Sequence, residues 1–93
     1  MHLITRKEFL EKLETCLQKK IYLKIEGNMV AEFVFKKFNY QVQCDCITFE
    51  DGTNNNHIEF NLNNINSITV EDQEIICILD DQKDTRIKIE MDD

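Results

Sequence analysis

Two glycines, Gly27 and Gly52, are all that this 93-residue chain contains, too few to build a glycine-rich loop that cradles a phosphate. Its two histidines, His2 and His57, lie far apart in the sequence. No Ser/Cys–His–Asp set and no His-Glu-x-x-His pair can be assembled around them. The chain is therefore expected to have no enzymatic activity, no catalytic residue and no cofactor. No apolar run approaches the roughly 18 residues that a membrane span needs. The first residues, Met1 to Lys7, carry no apolar signal core followed by a small-residue cleavage site. These absences predict a cytoplasmic protein without membrane contact. In that compartment Cys16, Cys44, Cys46 and Cys77 are expected to be reduced thiols. Proline is missing as well, while isoleucine (twelve) and asparagine (nine) abound, the bias of an AT-rich genome such as that of a low-GC bacterium or its phage.

Positive charge is absent from a long stretch. Residues 1–38 hold eight Lys/Arg against five Asp/Glu, residues 39–70 none against four, and residues 71–93 three against nine. The net charge is −7. A protein that holds nucleic acid by neutralising phosphates shows the reverse balance, so direct DNA binding is not expected.

What is present is periodicity. Thr5-Arg6-Lys7-Glu8 has the spacing of a capping box, and Ile4 and Phe9 flank it as a hydrophobic staple would. Phe9, Leu10, Leu13, Cys16 and Leu17 recur at helical spacing, with Lys19 and Lys20 near the negative end of the helix dipole. A helix is predicted over residues 6–18. Five short alternating runs follow in a β-core over residues 20–70. Ile21, Leu23 and Ile25 share one face of the first, and Gly27-Asn28 turns the chain. Met29 to Phe38 reads as one long strand. Its second face also carries Val30 and Val34, so both of its faces are expected to be covered. In the third run the apolar phase slips between Cys46 and Ile47, the signature of a β-bulge that lets a sheet bend and close. Ile58, Phe60 and Leu62 mark the fourth strand, and a helical turn at Asn63–Asn66 leads to Ile68 and Val70. Beyond this core an acidic β-hairpin extension is predicted over residues 74–91, turning at Asp81-Gln82-Lys83-Asp84. The whole is expected to be a single α+β domain: an amphipathic helix, then a strongly bent antiparallel sheet of five to seven strands.

That order resembles the Sm-like and SH3-like small barrels, and within them the YolD-like family of small bacterial proteins. The matching residues are Ile21 to Gly27, Val30 to Phe35, Ile47 to Gly52, Ile58-Glu59-Phe60 and Asn64-Ile65-Asn66-Ser67-Ile68. Ala31 and Glu32 stand where the family's second strand usually carries glycine, and the Arg/Lys-rich RNA-binding signature of true Sm proteins is missing. The resemblance implies a barrel-like fold and a scaffold or interaction role. It transfers no functional residue.

Cys44-Asp45-Cys46 would place two thiols on one strand face, with Cys77 or His57 as further zinc ligands. Structural zinc sites instead use Cys-x₂₋₄-Cys knuckles in turns, so the pair reads as small hydrophobes or free thiols, and no metal is expected. Asp80, Asp81 and Asp84 lack the glycine and glutamate of a calcium loop. With Glu71, Asp72, Glu74, Asp92 and Asp93 they could form an acidic surface that holds a basic partner, or imitates a phosphate backbone.

The leading expectation is thus a non-enzymatic protein-interaction module, a small bacterial or phage protein that also pairs with itself as a homodimer or larger oligomer. Its partner surface would be Glu71, Asp72, Glu74, Asp80, Asp81 and Asp84. The alternative is an acidic phage or mobile-element inhibitor that blocks a basic nucleic-acid-binding defence protein, such as a CRISPR nuclease, by mimicry. A nucleotide or RNA binder using Lys12, Lys19, Lys20, Lys24, Lys36 and Lys37 ranks last.

Overall fold

A computed structural model describes residues 2–27, 29–79 and 85–91. Within them a short strand β1 (His2–Leu3) precedes a helix α1 (Arg6–Glu14). Then come β2 (Ile21–Glu26), β3 (Val30–Phe35), β4 (Phe38–Gln43), β5 (Cys46–Asp51) and β6 (His57–Asn61). A 3₁₀ turn (Leu62–Asn64) leads to β7 (Ile65–Glu71), β8 (Glu74–Leu79) and β9 (Arg86–Met91). The architecture is α+β, with one N-terminal helix and nine antiparallel strands in two open sheets. The larger sheet runs β1-β7-β8-β9-β2-β3 and the smaller β4-β5-β6, and no closed barrel forms among the described residues.

The helix begins as its sequence dictates. The Thr5 hydroxyl accepts from the Glu8 N–H at 3.1 Å, and Glu8 Oε1 accepts in return from the Thr5 N–H at 3.1 Å. The Thr5 N–H, and after it the Thr5 hydroxyl that also donates to Oε1 at 3.1 Å, hold the Glu8 carboxyl below its ordinary range. Phe9 and Leu13 are fully buried, and Cys16 beyond the helix end joins them in the core. The helix stops at Glu14, four residues short of the predicted end. Gln18 instead turns to φ 66°, and its N–H donates to the Phe38 carbonyl at 2.8 Å, while the Phe38 N–H donates to Lys19 at 2.9 Å. Two tertiary hydrogen bonds to the start of β4 thus replace the last helical turn.

The other departures are also turns. The predicted long strand breaks at Lys36-Lys37 into β3 and β4, because the Asp51 carboxylate captures both backbone N–H groups. The phase slip at Cys46-Ile47 is a two-residue hairpin, not a bulge: Gln43 pairs with Cys46, and Cys44 takes φ 57° between them. Primed hairpin turns demand a positive φ there. The Cys44 hairpin and β1 raise the strand count from the predicted five to seven to nine. The one-turn connection ahead of β7 is observed, at Leu62–Asn64.

The predicted 74–91 hairpin forms, β8 pairing antiparallel with β9, and it joins the larger sheet. Strands β8 and β9 are the middle of the larger sheet, between β7 and β2. Ile75, Cys77, Ile87 and Ile89 are buried among Phe9, Leu13, Ile21, Leu23, Phe35, Ile47 and Phe49. Phe38 lies at the junction of the two sheets. Its ring meets Phe35 and Phe49 edge-on, with centroids 6.4 and 5.1 Å away, and stacks on Tyr40 at 6.1 Å.

Candidate interaction surface

Strand β3 hydrogen-bonds to β2 alone, with an unbroken register from Ile21↔Phe35 to Glu26↔Val30. Its other edge has no partner strand among the described residues. Alternation sends Ala31, Phe33 and Phe35 towards the core face, and Val30, Glu32 and Val34 outward. Phe35 is 1% exposed, but Val30 is 63%, Val34 43% and Phe33 37% exposed, and Met29 beside them 83%. The two-faced apolar pattern that predicted a covered strand here belongs to an uncovered edge.

The reason lies at the corner after β3. Asp51, buried at 4% exposure, accepts from the backbone N–H groups of Lys36 (3.1 Å), Lys37 (3.2 Å) and Thr53 (2.9 Å). It also accepts from the Thr53 hydroxyl and the Asn54 amide. These donors, the Thr53 N–H foremost, hold its carboxyl far below the ordinary carboxylate range against the cost of burial. Each of its two oxygens accepts one backbone N–H of the bend. The corner sends β4 into the second sheet, so no described strand continues the first beyond β3. A cleft of about 290 Å³ opens there, lined by Glu32, Phe33, Val34 and Phe35 on one side and Asn56, His57 and Ile58 of the β6 side on the other.

An ion ladder crosses the outer face towards this edge. Lys24 of β2 and Lys88 of β9 are direct neighbours, an unfavourable pairing of like charges. Glu26 relieves it: its Oε1, shut off from water, meets Lys88 Nζ at 2.8 Å and Lys24 Nζ at 3.9 Å. Lys24 reaches on to Glu32 at 3.8 Å. The Lys88 hydrogen bond lowers the Glu26 carboxyl, and Glu26 raises the Lys88 ammonium. The ladder ends at Glu32, the only charged residue in β3.

The predicted acidic surface is placed only in part. Glu71 and Asp72 are exposed at the two-residue β7–β8 turn, where Asp72 has φ 53°. Glu74 is half-buried and faces both Glu71 and Glu90 across neighbouring strands. Asp80, Asp81 and Asp84, with the predicted 81–84 turn, lie outside the described residues, as do Asn28, Asp92 and Asp93.

The predicted basic set scatters. Lys12, Lys19 and Lys20 line a cleft of about 140 Å³ that they share with Asp72 and Met91. Lys24 belongs to the ion ladder, and Lys36 and Lys37 flank the Asp51 corner. The cysteines scatter too, with no disulfide among them. Cys44 is exposed in its turn, Cys46 opens β5, and burial pushes the Cys77 thiol up to about 12. Among the described residues no group of three or more His, Cys, Asp or Glu is arranged to hold a metal. No described helix is long and apolar enough to cross a membrane.

Comparison with protein-family models, curated proteins and solved structures finds no match to this chain. The surface must be interpreted on its own chemistry.

Proposed function

We propose that the chain is a non-enzymatic cytoplasmic module that binds another protein, and that it does so through β3. One observation carries the reading: a six-residue edge strand with large apolar side chains open to water beside a cleft. Exposed apolar groupings of this kind mark interaction sites. The bend from β3 into β4 and the 3₁₀ turn before β7 support a further proposal, that the fold is an opened-out relative of the Sm-like, SH3-like and YolD-like small barrels. Self-association through the same edge competes with binding of a different protein.

The acidic-inhibitor reading is the second proposal. It draws on the excess of acid after residue 70 and on the exposure of Glu71 and Asp72. Against it, Asp72 shares a cleft with Lys12, Lys19 and Lys20.

A photo-crosslinking amino acid at position 34, and separately at position 72, tests the two together in cells of the source organism. Attachment to a second polypeptide from position 34 and not from 72 supports the β3 reading. Capture from position 72 alone favours the acidic surface and overturns β3, as does capture from neither.

A further inference from the structure

The geometry points to a specific mode of recognition at β3: an extended cationic segment of a partner protein adds there as a new antiparallel strand. The inference rests on the reading of β3 as the binding element and names what binds it.

Four strands lie at sheet edges among the described residues, and three are protected. Strand β1 is two residues long. The start of β4 is hydrogen-bonded to Gln18 and Lys19, and its Tyr40 hydroxyl donates to Glu14 at 2.6 Å. Strand β6 exposes His57, Glu59 and Asn61, a polar rim. Strand β3 carries no proline, no lysine and no bulge within Val30–Phe35, and its one charged side chain is Glu32. Its outward-turned N–H and C=O groups can template another strand, and the cleft towards Asn56–Ile58 leaves room beside them.

The side chains define the occupant. Residues directly opposite on an added strand share a face with Val30, Glu32 and Val34, or with Ala31, Phe33 and Phe35. The first set calls for apolar, basic, apolar, and the second for apolar side chains throughout. Glu32 is 73% exposed and has one long ion pair, so it can accept a lysine or arginine from the incoming strand. No Lys or Arg lies in β3 or β6 to oppose that cation. A second copy fits less well: two chains of net charge −7 repel, and a two-fold register centred on Glu32 sets glutamate against glutamate.

The test uses isotope-labelled full-length protein and a capped nine-residue peptide with valines on both sides of one central lysine and threonine only at its two ends. The expected result is resonance shifts confined to Val30–Phe35 and Asn56–Ile58, with alternate β3 amides newly protected from exchange. A twin peptide with glutamate at the centre should bind about three- to tenfold more weakly, and Glu32→Lys should reverse that preference. Methylating alternate peptide nitrogens should abolish binding. Shifts elsewhere, equal binding of the twins, or full binding of the methylated peptide would overturn strand addition. So would sedimentation showing a dimer sealed through β3. Peptide failure alongside crosslinking from position 34 would sink the strand mode and leave β3 as the binding element.

Discussion

Asp51 shows how much of the fold rests on one side chain. Five donors from two segments converge on its carboxylate, and two of them hold the bend between the sheets. An amide there would turn an NH₂ group towards backbone N–H donors. Asp51→Asn is expected to lower the melting temperature by at least about 5 °C, measured by calorimetry. The pH dependence follows from linkage. The folded-state pKa lies below the unfolded one, so the stabilisation is fully present above about pH 4 and fades as pH falls towards the folded value. Between about pH 5 and pH 2 the natural protein should therefore lose stability more steeply than Asp51→Asn. The local sequence marks Asp51 only as the start of a polar turn, Asp51-Gly52-Thr53-Asn54. Its role depends on Lys36 and Lys37, which only the folded corner brings to it.

Elements whose signals are local were legible, and those defined by distant partners were not. The helix start is set by four consecutive residues, and its capping box is present as expected. Thr5→Ala should cost about 1 kcal/mol in urea unfolding, through loss of the hydroxyl acceptor at the helix N-terminus. The turns were harder to see. Gln18, Cys44 and Asp72 all take positive φ, where glycine or asparagine would have announced a turn. At Cys44 the missing signal made a hairpin look like a bulge. Strand β3 was misread for a related reason. Its residues report two apolar faces, but whether those faces are covered depends on the strands around it. The candidate site was hidden in the sequence because an edge is a property of the sheet.

At the scale of the whole molecule, charge misled where pattern did not. The acid-rich composition after residue 70 suggested an appendage, yet the alternation of Ile75, Cys77, Ile87 and Ile89 builds the centre of the larger sheet. A chain cut after residue 73 should accordingly give no cooperative unfolding transition and a collapsed amide spectrum. A native-like spectrum from that fragment would return the segment to the status of an appendage. Within the intact chain, Ile89→Ala should cost about 2–5 kcal/mol by urea unfolding.

The pairing of β2 with β9 also sets a schedule. Lys24 lies against Lys88, sixty-four residues later in the chain. At ordinary translation speed of about 5–20 residues per second, β2 waits roughly 3–13 s for its neighbour to be made. Throughout that interval the β2–β3 hairpin has two unpaired sides instead of one. The nascent chain is thus more adhesive before β9 is made, and β9 closes half of that exposure.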